Sequence, residues 1–216
     1  FDYFAGGGLL TPTGKNKDLP DLYEVAQKAG YTVTTTQSEI EGVSKETGKV
    51  IAIDENLADS DSMAYAMDLQ EGQWELADYV EKGIEVLDND NGFFMMVEGG
   101  KIDWACHAND AATTFHEVID FNEAIKVAYE FYEQHPDETL IVVTADHETG
   151  GMILGNGAYA LNLQALKGQK VSEGEFTSVL NDMRRKYKNQ VSWEVIQAVL
   201  KDYFGFWDTV KLNKRH

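Results

Sequence analysis

The sequence is short of cysteine, proline and positive charge, and each shortage closes a class of explanations. A single cysteine, Cys106, excludes a disulfide within the chain, although this says nothing of compartment, because many exported proteins lack disulfides. Only Pro12, Pro20 and Pro136 are available as punctuation, and no repeat or low-complexity tract is present. Eighteen Lys and Arg stand against 37 Asp and Glu, a net charge of −19, which argues against binding a polyanion such as nucleic acid. A small phosphate ester stays open, because bound divalent cations invert the local field. No apolar run approaches the roughly 20 residues of a membrane span. The chain opens on Phe1-Asp2-Tyr3-Phe4 rather than on Met, so it reads as cut from something longer, with its targeting unreadable.

What is present is one organising stretch. Phe93 to Val97 are five apolar residues bounded by Asn91-Gly92 and Gly99-Gly100, which predicts a short buried strand. Its end delivers Glu98 into a glycine turn, and ligands of open α/β sheets gather outside the carboxyl ends of strands. Asp103 and His107 follow, four residues apart. If Asp103 opens a helical turn, both side chains share a face and can hold one ion. A second apolar run, residues 140–145, predicts another buried strand and ends in Asp146-His147. Two strands each ending in carboxylate and imidazole suggest one shared metal site. Mixed carboxylate and imidazole ligands suit zinc; Glu98 alone suits a harder ion such as magnesium.

The rest of the chain frames that stretch. Gly6-Gly7-Gly8 lacks the strand, spacing and helix of a phosphate loop and reads as a tight turn. Asp18 is placed to cap a helix over residues 20–29, with Gly30 as its stop. Strands are expected at 31–34 and 50–53, the latter ending at Asp54. Asp59-Ser60-Asp61-Ser62 reads as a solvated loop or helix cap, not a nucleophile. Helices are expected over 71–87, by its apolar spacing, and over 109–134, closed by His135-Pro136. His116 lies off the apolar stripe and is read as a surface or packing histidine. Residues 176–187 and 193–204 read as two further helices, the first basic. The alternation of strands and helices gives an α/β fold, a mostly parallel sheet with helices on both faces. We divide it into an α/β domain over 1–155 and an appended helical segment over 156–216.

Two motifs carry a resemblance. Val97-Glu98-Gly99-Gly100-Lys101-Ile102-Asp103 with His107, and Val143-Thr144-Ala145-Asp146-His147-Glu148-Thr149-Gly150-Gly151, are similar to the second half of alkaline phosphatases. The resemblance covers residues 1–155. It implies one zinc on Asp103 and His107, a second zinc on Asp146 and His147, and magnesium on Glu98. Trp104 stands where family members vary among lysine, histidine and tryptophan, a position that tunes the surroundings of the metals.

The resemblance also implies phosphomonoester hydrolysis through a phosphoserine, with zinc activating the attacking oxygen and an arginine on the phosphate. The nucleophilic serine, that arginine, the bridging aspartate and the other magnesium ligands are expected before Phe1. The last zinc histidine is expected after the appended segment, and His216 lacks the context to be assigned to it. The chain is therefore expected to be inactive alone. Its parent is expected to be a periplasmic or extracellular homodimer acting on a small phosphate monoester. Two other readings stand beside it: a phosphoglycerate mutase or phosphodiesterase of the same superfamily, or a noncatalytic metal-binding domain.

Overall fold

The computed structural model describes residues 1–149 and 163–212. Motif residues Gly150 and Gly151, the apolar residues 152–154 and His216 lie outside them. The described chain divides into two compact units. The first holds residues 1–64, 69–99 and 119–143; the second holds 65–68, 100–118 and the chain from 144 onward.

The first unit is built on three parallel strands in the order β1-β3-β2: β1 (Tyr3–Gly6), β2 (Tyr31–Thr34) and β3 (Lys49–Ile53). β3 is central, pairing Tyr3 to Val50 on one side and Thr32 to Val50 on the other. Its residues Val50 and Ala52 are almost fully buried, as β-branched and small residues suit a strand flanked on both edges. Helix α1 (Leu22–Lys28) packs on β2. It is capped by Asp21, which accepts a hydrogen bond from the Tyr23 N–H at 2.8 Å. Asp21, rather than the expected Asp18, has the extended backbone and the reach that a cap requires. Helix α2 (Gln37–Glu41) opens with a Thr36–Glu39 capping box.

Helix α3 (Leu76–Leu87) packs on β1 and starts five residues later than its apolar spacing suggests. Gly83 lets it approach closely: a Cβ there would lie 2.8 Å from both the Tyr3 ring and the end of Met95. Ile40, Val43, Val50, Ala52, Tyr79 and Val86 form the core, with Tyr3, Met63 and Trp74 packed against it. Inside it the Tyr3 hydroxyl donates to the Tyr79 carbonyl at 3.0 Å, and the Tyr79 hydroxyl donates to Asp54 at 2.9 Å. Burial pushes both phenols above their ordinary pKa, and the Asp54 carboxylate adds to the effect at Tyr79.

The two strands expected at 93–97 and 140–145 are a correction. Neither run joins a ladder. Residues 93–99 nevertheless alternate between half-buried and exposed, the two-residue period of extended chain. Phe94 is 84% and Leu140 86% exposed, with Met96, Val142 and Val143 also exposed. The composition marks these runs as strand material, but among the described residues neither is hydrogen-bonded into the sheet.

Besides residues 65–68, the second unit contains α4 (Gly100–His107) and the start of α5 (Ala111–Gln134), the longest described helix. It ends in α6 (Glu173–Lys186) and α7 (Trp193–Phe204). Asp110 joins its parts. The carboxylate accepts from the Thr113 N–H and hydroxyl, from the Gln169 amide, and from the Glu173 N–H at the start of α6. Asp68 accepts from both the N–H and hydroxyl of Ser172, the α6 cap. The tail aromatics pack on one another, with Phe176 edge-on to Phe204 and Trp193 edge-on to Trp207.

Candidate metal centre

The site is assembled from α4 and the segment 144–149, both in the second unit. α4 is short but well terminated. Its end carries Asn109 in the left-handed conformation, with Asp110 N–H bonding back to Ala105 and Asn109 N–H to Cys106, the pattern that satisfies the last carbonyls of a helix. Ala105 is buried, which fixes which way the helix faces. Asp103 sits in the first turn and His107 in the last, each favoured there by the helix dipole. One turn apart, they share a face as expected: His107 Nε2 lies 3.5 Å from Asp103 Oδ1. Lys101, on the same helix, has its ammonium 3.9 Å from the centre of the Tyr65 ring and 4.3 Å from that of Trp104. This clamps the indole beside Asp103. Burial and the surrounding carboxylates, Glu117 first among them, push the Tyr65 phenol up to about 12.

The second pair is tighter and more exposed. His147 Nε2 lies 3.3 Å from Asp146 Oδ2, and the Asp146 carboxylate also accepts from the His147 backbone N–H at 2.9 Å. His147 Nδ1 lies 3.0 Å from the Glu148 carbonyl. A carbonyl only accepts, so the proton belongs on Nδ1, and the lone pair of the neutral ring is on Nε2. That hydrogen bond, and then the Asp146 carboxylate, raise the His147 pKa above its ordinary value.

Sequence reasoning missed Thr149. Its hydroxyl donates to Asp103 Oδ1 at 2.5 Å and lies 3.1 Å from His147 Nδ1. Having given its proton to Asp103, it can only accept from Nδ1–H, in agreement with the tautomer set by Glu148. One hydroxyl thus links the two expected ligand pairs across 46 residues. No spacing rule signals such a contact. Glu98 belongs to the first unit, exposed at the end of the alternating run.

Do these residues suit a metal? Two ligands bonded to one tetrahedral zinc at 2.0–2.2 Å stand about 3.3–3.5 Å apart. The two carboxylate–imidazole pairs have separations of 3.5 Å and 3.3 Å, and in each the imidazole turns Nε2 toward the carboxylate. The donor chemistry and the bite fit zinc. Among the described residues, however, no three His, Cys, Asp or Glu side chains converge into one metal-holding group. Each pair is half of a coordination sphere.

The alkaline phosphatase family model matches residues 7–204. The chain belongs to the alkaline phosphatase family. Alkaline phosphatase 4 of Bacillus subtilis (strain 168) is 32% identical over 210 residues, covering 92% of this chain and 43% of that protein. Among solved structures, the cold-active alkaline phosphatase of a psychrophilic Shewanella superposes with a TM-score of 0.73 at 29% identity, covering 99% of this chain and 47% of the other. A variant of TAB5 alkaline phosphatase, described as having magnesium bound, is 36% identical with a TM-score of 0.58, over 70% of this chain and 42% of the other. The chain spans less than half the length of these relatives. The α/β fold with its parallel sheet agrees with these neighbours.

Proposed function

We propose that this chain supplies part of the metal centre of a phosphate monoesterase: Asp103 and His107 for one zinc, Asp146 and His147 for a second, and Glu98 for magnesium. The observation that carries the reading is the matched bite of the two pairs, 3.5 Å and 3.3 Å, joined through Thr149. The family membership and the magnesium described for a TAB5 relative support it.

Bound ions would supply Lewis acidity, lowering the pKa of an attacking oxygen and stabilising charge on the leaving one. The chain's own residues do the arranging. α4 presents Asp103 and His107 from one face. The Glu148 carbonyl holds the His147 proton on Nδ1, so Nε2 stays available as a donor. Thr149 fixes Asp103 Oδ1, and the Lys101 ammonium lies over the Trp104 ring on the same helix. None of these residues is a nucleophile. Ser62, the serine beside aspartates, instead donates its hydroxyl to the Asp59 carbonyl at 2.8 Å in a surface turn. We therefore propose that this chain alone does not turn over a phosphomonoester, and that the activity belongs to a periplasmic or extracellular homodimer acting on a small phosphate monoester.

The test is an aryl phosphate assay of the purified 216-residue chain at alkaline pH with zinc and magnesium supplied. Turnover no faster than free metal is expected, together with weak zinc binding by calorimetry that His107→Ala and His147→Ala each diminish. Robust turnover with phosphoserine trapped at Ser60 or Ser62 would overturn the proposal, as would the absence of any zinc binding.

A further inference from the structure

We propose that Thr149 is a positioning residue shared by both zinc half-sites, its single hydroxyl setting the direction of the Asp103 carboxylate and bracing the His147 ring. The inference rests on the metal reading above and adds a residue that neither motif spacing nor ligand chemistry selects.

The argument is one of proton counting. The hydroxyl has one proton, and the 2.5 Å contact to a carboxylate oxygen claims it. Its lone pairs remain, and at 3.1 Å one receives the His147 Nδ1 proton, which the Glu148 carbonyl also receives. The three groups form a directed chain, Nδ1–H to Thr149 to Asp103. Its two ends are Nδ1, across the ring from the donor Nε2, and Oδ1, the same carboxylate oxygen that faces His107 Nε2 at 3.5 Å and keeps a lone pair for an ion. Partners of this kind orient metal ligands, and their loss costs roughly 10–100-fold in metal affinity. Asp146 and His147 are exposed, so no close packing would hold His147 in place once that brace is gone. Thr149 itself is half-buried against α4. The bond also ties the segment 144–149 to α4 without any metal.

Two variants separate the hydroxyl from the shape of the side chain. Thr149→Val keeps the branched shape and removes the hydroxyl; Thr149→Ser keeps the hydroxyl. Zinc titrations of the full chain, followed by NMR on the ring resonances of His107 and His147, give a dissociation constant at each half-site. The expected result is a loss of about tenfold at both rings in Thr149→Val and near-wild-type values in Thr149→Ser. In an Asp103→Asn background the Val substitution should have little further effect at His107. Amide hydrogen exchange of the metal-free chain is the second readout. Faster exchange in 144–149 is expected for Thr149→Val and not for Thr149→Ser. Unchanged zinc constants in Thr149→Val, with wild type binding zinc, would overturn the inference and leave the metal reading standing. Zinc moving neither ring in wild type would overturn the metal reading and the zinc role of Thr149 with it. Unchanged exchange in Thr149→Val would remove the tether as well.

Discussion

Two regions of the first unit carry nearly the same kind of sequence and reach different ends. β3, Lys49–Ile53, with its four apolar residues 50–53, and the five apolar residues 93–97 are both short runs that follow a glycine turn closely. β3 lies between two parallel neighbours and buries Val50 and Ala52 completely or nearly so. The 93–97 run keeps the extended alternation but leaves Phe94 and Met96 in solvent. Composition and period decide that a segment is extended and which of its sides is apolar. Whether it becomes a strand is decided by a neighbour able to take its N–H and C=O groups, a property of the partner.

The sharpest way to break this comparison is to empty each region in turn. Ile40→Ala, at a side chain with no exposed surface in the sheet's core, is expected to cost about 2–5 kcal/mol by denaturant unfolding. A loss under about 1 kcal/mol would mean the sheet region is no better packed than the unpaired run.

Gly83→Val probes the place where the two regions meet. The new Cβ would fall 2.8 Å from the Tyr3 ring on β1 and from Met95 in the unpaired run. Met95 ends in a flexible thioether and can give way, whereas the Tyr3 hydroxyl is tethered to Tyr79. The expected cost is about 1–3 kcal/mol. It should be relieved by Met95→Ala much less than by Tyr3→Ala, if the ring is the rigid partner.

A third test uses pH. Asp120 of α5 has its Oδ1 buried without a hydrogen-bond partner among the described residues, and burial first, then Glu75, raises its pKa to about 6. A carboxyl with a raised folded pKa favours the protonated form. Its contribution to stability is therefore fully present below about pH 4 and is lost as pH rises through about 6. Thermal melts should show wild type losing more stability than Asp120→Asn between pH 4 and 7. Parallel pH curves would remove Asp120 as the cause. The smallest effect is expected in the unpaired runs themselves, where Phe94→Ser and Leu140→Ser should each change stability by no more than about 0.5 kcal/mol. A loss above about 1.5 kcal/mol at either would show that the side chain is buried in solution.

Much of the fold was legible before any coordinates. β2, β3 and α7 fall where β-branched runs, apolar spacing and glycine stops put them. β1 was not, because Tyr3-Phe4-Ala5-Gly6 is four residues running into further glycines and is made a strand only by β3 beside it. In the site, Asp103 and His107 on one helical face, and the adjacent Asp146 and His147, could be read from local spacing, and each pair does meet. The bond that joins the pairs could not. It depends on where two segments 46 residues apart come to lie, and local periodicity is silent on that.

Asp110 has a consequence of a different kind. A carboxylate that receives bonds from the head of α5, from Gln169 and from the head of α6 makes the melting of any one of them a loss for the other two. Those segments should open and close as a single cooperative block in native-state exchange, with one shared opening free energy, rather than fray independently. A side chain of this sort sets the grain size of the molecule's fluctuations.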